Sequence, residues 1–267
     1  MLEAFADRWV LVTGASMGLG EELARQLAGQ RAHLVLTARS RERLVELKEA
    51  LARQHGTRAE VVVADLAEPG GAERLCRDVA ALGVSIDHVV NNAGFGDTGR
   101  FVTRDAELQA QMVRLNCEAL VTVARHFLPA MVERGSGGVL FVASTAAFQP
   151  LPFMATYAAT KAFVLSLSLA LSEELRGTGV VSSCLCPGPV PTGFQAAAGI
   201  RHGRTESLAA LSAAETVRLG LAAYRRGDDL CVTGTVNRVQ TLVARALPRG
   251  MLLRSVAGVM HRLGRVR

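Results

Sequence analysis

A doubly wound α/β fold, one parallel sheet with helices on both faces, is what this sequence predicts. Three observations carry that expectation. Short apolar runs are continuous rather than alternating, as strands covered on both faces require. Longer amphipathic segments separate them, strand then helix, along the whole chain. The 267 residues are 49% hydrophobic, enough for one large core, with no linker and no internal repeat before about residue 236.

The predicted strands are Trp9–Thr13, His33–Ala38, Ala59–Val63, His88–Asn91, Gly138–Val142, Val180–Cys186 and Leu230–Val232. The predicted helices are Glu21–Gln30, Arg41–Gln54, Ala72–Leu82, Leu108–Met131, Tyr157–Arg176 and Ala213–Arg226. Residues 1–236 are expected to form the domain, with a substrate loop at about 191–210. Residues 237–267 are expected to be a basic amphipathic extension.

Charge and composition exclude several functions. Thirty basic residues face 24 acidic ones, a net charge of +6. Seven arginines and no acid follow Asp229, leaving 23 basic against 24 acidic residues before it. The basicity therefore belongs to the tail, and with 4% aromatic residues no nucleic-acid partner is expected. Cys76, Cys117, Cys184, Cys186 and Cys231 are scattered and lack metal or redox spacing, so no metal site is expected. Free thiols, no signal-peptide pattern and no run of about 18–20 apolar residues lead us to expect a cytoplasmic protein.

The segment Thr13-Gly14-Ala15-Ser16-Met17-Gly18-Leu19-Gly20 joins the first strand to the first helix. Gly14 permits the turn, Gly18 admits a pyrophosphate to the backbone, and Gly20 lets helix and strand pack closely, with the anion at the helix N-terminus. Ser16, Met17 and Leu19 complete this candidate cofactor loop. The spacing Gly-x3-Gly-x-Gly differs from the Gly-x-Gly-x2-Gly dinucleotide fingerprint. It resembles instead the Thr-Gly-x3-Gly-x-Gly motif of the short-chain dehydrogenase/reductase family. Asn91-Asn92-Ala93-Gly94, Asn116, Ser144, Tyr157, Lys161 and Pro187-Gly188 extend the resemblance over residues 9 to about 236. It implies a Rossmann-type sheet, a nicotinamide dinucleotide, and a carbonyl or ketoacyl reductase forming a homodimer or homotetramer.

The end of the second strand bears on the choice of dinucleotide. Leu36-Thr37-Ala38-Arg39-Ser40-Arg41 has no acidic residue to accept from the ribose hydroxyls of NAD(H). Arg39, helped by Ser40 or Arg41, suits a 2′-phosphate, so NADP(H) is favoured over NAD(H), the alternative being a solvated loop charge. The resemblance places Asp65 and Leu66 at the adenine, although Asp65 also reads as a helix cap. It places Asn91, Ala93 and Gly94 by the adenosine ribose, with Asn92 either there or fixing strand ends. Pro187, Gly188, Val190 and Thr192 would meet the nicotinamide.

Tyr157 and Lys161 stand one helical turn apart, with Ser144 thirteen residues before the tyrosine. A phenol with a pKa of about 10 is a poor proton donor at neutral pH, and a neighbouring ammonium is expected to lower it. Ser144 is expected to orient a carbonyl oxygen. Lys161 is one of only two lysines, with Lys48. The resemblance gives Asn116 a water that links Lys161 to solvent, and a polar residue on that apolar helix face is expected to distort the helix; a satisfied core amide is the alternative.

Phe148, Leu151, Phe153 and Met154, with Phe194, Ala196, Ala197, Ala198 and Ile200, suit a small apolar ketone or alcohol, or alternatively pack the domain. A 3-oxoacyl reductase and a cofactor-binding protein without turnover are the competing readings. The helices Leu108–Met131 and Tyr157–Arg176 are the expected subunit contacts. In the tail, Leu252, Val256, Val259 and Leu263 form an apolar stripe, with Arg254, His261 and Arg265 on another. That stripe either packs on the protein, the favoured reading, or makes a peripheral contact with an anionic membrane.

Overall fold

Seven strands form one wholly parallel sheet: β1 (Trp9–Thr13), β2 (His33–Ala38), β3 (Ala59–Val63), β4 (Ile86–Asn91), β5 (Gly137–Val142), β6 (Val180–Cys186) and β7 (Leu230–Val232). Their spatial order is β3-β2-β1-β4-β5-β6-β7. This computed structural model describes residues 5–191, 193 and 210–262 of the chain. The strand order reverses between β1 and β4, and a crevice at the carboxyl ends of the strands on either side of such a switch is where this fold binds ligands.

Side chains alternate across the sheet. Leu11 of β1 enters one core; its neighbours Val10 and Val12 enter the other. The core holding Val10 and Val12 is covered by α1 (Gly18–Gly29), α2 (Arg41–His55) and α7 (Ala213–Arg226), which contribute Leu23, Leu47 and Leu221. The opposite core is covered by α3 (Gly71–Ala81), α5 (Leu120–Arg134) and α6 (Ala155–Glu174), through Leu75, Val123 and Val164. Every predicted strand is present, so continuous apolar runs read correctly as strands buried on both faces.

The expected single helix over Leu108–Met131 is not uniform. α4 (Ala106–Val113) passes through a π-helical stretch, Arg114–Ala119, before α5 begins. Asn116 lies in that stretch, as a side chain competing for backbone partners would predict. α6 is long and apolar enough to cross a membrane. Here it lies against β6, burying Tyr157, Lys161, Val164 and Ser168. After β7 the chain forms α8 (Thr235–Ala246) and α9 (Arg249–Arg262), with Pro248 between them.

Candidate active site

The β1–α1 turn is shaped by its glycines. Gly14 (φ 68°) and Gly18 (φ 61°) occupy the left-handed region that side chains disfavour. A Cβ on Gly14 would lie 2.9 Å from Ala93 Cα, across the switch-point crevice. A Cβ on Gly20 would lie 2.1 Å from the Gly14 carbonyl oxygen, so only glycine lets α1 pack this closely on the turn. Met17 caps α1 without a side-chain hydrogen bond, leaving the first-turn amides of the helix to an anion. These glycines and uncapped amides fit a dinucleotide pyrophosphate.

Other cofactor candidates divide between facing this crevice and building its walls. Arg39 is 78% exposed and 3.8 Å from Asp65 Oδ2, at the mouth of the crevice. Ser40 caps α2, accepting from the Arg43 amide and donating to Glu42 Oε2 at 3.1 Å. Arg43, which sequence reasoning passed over, reaches back to Met17, with Nη1 3.9 Å from Sδ. Asp65 Oδ1 accepts from the Ala67 amide at 2.9 Å, so one of its oxygens holds a turn, while Leu66 is buried in the main core. Asn91 donates Nδ2 to the Leu120 carbonyl at 3.2 Å, tying β4 to α5. Asn92 Nδ2 donates to the Thr13 carbonyl at 2.9 Å and fixes the strand ends. Thr13 Oγ1 completes that clasp by accepting from the Asn92 and Ala93 amides.

Toward the nicotinamide end, a Cβ on Gly188 would lie 2.2 Å from Asn237 Nδ2, so the turn after β6 packs against the start of α8. Val190 is buried beside it in sequence. Thr192 and the loop residues Phe194, Ala196, Ala197, Ala198 and Ile200 lie outside the described residues, as do Leu263 and Arg265. Gly193 is described, and a Cβ there would lie 2.4 Å from Met17 Cε, which places this glycine beside the glycine-rich segment.

The four residues expected at the reacting centre come together at the carboxyl edge of the sheet. Ser144 follows β5 and caps a short 3₁₀ turn, Thr145–Phe148, accepting from the Ala146 amide at 3.1 Å. Its hydroxyl acts on the Tyr157 phenol, pulling its pKa down. Lys161 donates Nζ to the Val142 carbonyl at 2.8 Å and lies 5.9 Å from the Tyr157 ring centroid. Asn116 Oδ1 accepts from the Phe95 amide at 3.1 Å; Nδ2 donates to the Phe95 carbonyl and to Thr160 Oγ1, both at 3.0 Å. Thr160 Oγ1 in turn donates to the Tyr157 carbonyl at 2.8 Å. Gly94 closes the group, because a Cβ there would lie 3.0 Å from Asn116 Oδ1 and 3.5 Å from Lys161 Nζ.

The Asn116 side chain clamps Phe95 and Thr160, so its amide is satisfied within the core beside α6. One expectation changes here. Burial pushes the Tyr157 phenol up to about 12, against the hydrogen bond with Ser144 that pulls it down. The Lys161 ammonium was expected to lower the phenol, but it is directed to the Val142 carbonyl and is itself pulled down to about 8 by burial.

Tyr157 belongs to an apolar cluster with Met112, Ala146, Met154 and Met260, with Phe95, Leu151, Phe153 and Val256 packed on it. Three of the four apolar residues named before Tyr157, Leu151, Phe153 and Met154, join this cluster. The fourth, Phe148, packs instead against the large core beside α6. Phe153 holds φ 68°, an uncommon conformation for an aromatic residue, and accepts from the Gly99 amide at 2.9 Å. Met112 stands four residues before Asn116 and Thr160 three after Tyr157, each about one helical turn, so helical periodicity was their signal. Met260 and Val256 had only their spacing from Leu252.

Comparison with known proteins agrees with this geometry. Residues 8–202 match the short chain dehydrogenase family. The chain belongs to that family. This short-chain dehydrogenase is 32% identical over 211 residues to an uncharacterized oxidoreductase of Staphylococcus epidermidis, covering 79% of this chain and 89% of that one. It is 36% identical over 190 residues to the ketoacyl reductase HetN of Nostoc sp., 71% of this chain and 66% of the other. Its fold matches a short-chain dehydrogenase from Sphingobium yanoikuyae solved in complex with NADPH. That likeness has a TM-score of 0.80 and 31% identity, and covers 88% of this chain and 92% of that one. The chain is thus an oxidoreductase of this family.

Proposed function

We propose that this short-chain dehydrogenase is a reversible NADP(H)-dependent reductase of an apolar ketone, with Tyr157 as the acid and base. The observation that carries the reading is the pairing of Ser144 with Tyr157, set beside Lys161 and packed among apolar side chains. The dinucleotide supplies the hydride when bound. The α1 amides and Gly14, Gly18 and Gly20 would hold its pyrophosphate. Arg39 and Arg43 would face its 2′-phosphate, where a guanidinium outperforms the carboxylate that NAD(H) calls for.

Ser144 and Tyr157 hydroxyls converge on the substrate oxygen, so both donate to it as negative charge develops. Tyr157, held protonated by burial at neutral pH, gives its proton to that oxygen. The Lys161 ammonium, fixed on the Val142 carbonyl, stabilises the phenolate left behind. In the oxidative direction the phenolate takes the alcohol proton. Asn116, Thr160 and Gly94 position this group rather than touch substrate.

The likeness to a ketoacyl reductase supports a second reading of the same chemistry, with a 3-oxoacyl chain in the apolar cluster. The complete Asn116, Ser144, Tyr157 and Lys161 set argues against a protein that binds cofactor without turnover. Exposed Val121 and Val132 on α5, with Phe163 and Leu169 on α6, support a homodimer or homotetramer through these helices. Five free thiols support a reducing, cytoplasmic setting.

NADPH oxidation over a panel of apolar ketones and 3-oxoacyl thioesters tests the reading. Turnover on either class is expected, with the preferred chain length separating the two. Arg39→Asp is expected to weaken NADPH at least about tenfold while leaving NADH less affected. Equal affinity of the unmodified protein for both dinucleotides would overturn the NADP(H) assignment.

A further inference from the structure

Helix α8 is amphipathic in the reverse sense for a helix that only covers a core. The face it lays on the protein carries Asn237, Thr241 and Ala244. Asn237 packs on Gly188 and donates to the Thr233 carbonyl at 2.7 Å, and Thr241 Oγ1 donates to the Arg238 carbonyl at 2.9 Å. The opposite face presents Val236, Val239, Leu242 and Val243 at 43%, 55%, 63% and 49% exposure. At helical spacing these four form one stripe, and Met251 and Leu253 at the start of α9 are likewise exposed.

Arg238, Arg245, Arg249 and Arg254 are exposed on the same two helices, and no acidic residue follows Asp229. The inner side of α9 belongs to the active site: Met260 and Val256 join the apolar cluster of Tyr157. These two consecutive helices therefore pack on the protein through Asn237, Thr241, Val256 and Met260, while apolar and cationic side chains stay exposed on them.

We propose that the outer face of α8 and the start of α9 docks on an anionic lipid bilayer, so that the site draws its apolar substrate from the membrane surface. Docking stands on the exposed side chains of these two helices alone; the substrate clause rests on the reductase reading. Valine and leucine side chains enter the acyl boundary while arginines meet lipid phosphates, the two signals that stable peripheral attachment needs. A second copy of the chain is the poorer occupant. A two-fold contact sets the same patch against itself, bringing arginines together where this segment holds no carboxylate to pair them.

The full-length protein is centrifuged with phosphatidylcholine vesicles, with and without phosphatidylglycerol, at low and high salt. Binding to the phosphatidylglycerol vesicles, weakened by salt, is expected, with little on phosphatidylcholine alone. Arg245→Gln and Arg249→Gln should each lower binding about fivefold. Leu242→Asp with Val239→Asp should abolish it, with melting temperature and reduction of a water-soluble ketone unchanged, since both side chains are exposed and neither belongs to the Tyr157 cluster. Equal binding to neutral and anionic vesicles, or none to either, would overturn the proposal. So would an aspartate pair that converts a dimer to monomer in sedimentation velocity without altering vesicle binding. Vesicle binding by a protein that reduces no ketone would leave docking standing and overturn the reductase reading.

Discussion

The chain has only two tyrosines, both are buried, and burial raises the phenol pKa of both. Tyr157 stands at the carboxyl edge of the sheet with Ser144 acting on its hydroxyl, Lys161 near its ring and apolar side chains packed around it. Tyr224 on α7 is sealed in the other core, its hydroxyl 3.0 Å from His88 Nδ1 and its ring stacked on Phe5. The Tyr224 partner is an imidazole that burial keeps neutral, pulled down to about 4. Burial by itself thus makes a structural phenol. What distinguishes Tyr157 is a cation nearby and a serine hydroxyl facing its own.

Removing the cation should separate the two tyrosines most sharply. Lys161→Met is expected to lower turnover by about 10²–10⁴-fold, since the phenolate then forms unsupported. The same change should leave the melting temperature unchanged or raised. Lys161 has a folded pKa of about 8 against an ordinary 10.5, so its stability contribution is present above pH 10.5 and lost as pH falls through 8. At neutral pH the buried ammonium therefore costs stability that an apolar side chain restores.

The Tyr224 side responds to acid. His88 has a folded pKa of about 4 against 6.5, so its contribution is present above pH 6.5 and lost as pH falls through about 4. Urea unfolding should show a loss of about 3 kcal/mol over that window, much of it absent in a His88→Phe variant that still folds. Tyr224→Phe should cost about 1–3 kcal/mol, because His88 Nδ1 loses its partner, and should leave turnover essentially unchanged. The smallest effect is expected at Gly94→Ala. Its Cβ meets Asn116 Oδ1 at 3.0 Å, and a slight shift of Asn116 should cost roughly tenfold in turnover with dinucleotide affinity retained.

The strands, the β1–α1 turn and the residues gathered around Tyr157 were legible because each rests on local chemistry. Continuous apolar runs mark buried strands, glycines mark a turn that side chains would block, and a tyrosine–lysine pair one turn apart marks a shared helix face. Contacts set by tertiary packing were not. Nothing near Asn116 in sequence announces Phe95, and nothing near Met260 announces Tyr157, 103 positions earlier. The direction of the Tyr157 shift was missed for the same reason: the lysine is visible in sequence, whereas the desolvation that outweighs it is a property of the assembled core. Helix α8 escaped notice because its valines and leucines repeat like any core-facing stripe, and only the structure shows that they point outward.

The central claim, that Tyr157 is the proton donor and acceptor, is tested most directly in Tyr157→Phe. NADPH binding and oxidation by the best apolar ketone are measured in parallel, with Tyr224→Phe as the matched control. We expect Tyr157→Phe to bind NADPH within about twofold of the unmodified protein and to lose about 10²–10⁴-fold in turnover, the control losing neither. Undiminished turnover by Tyr157→Phe, with the fold intact, would contradict the account.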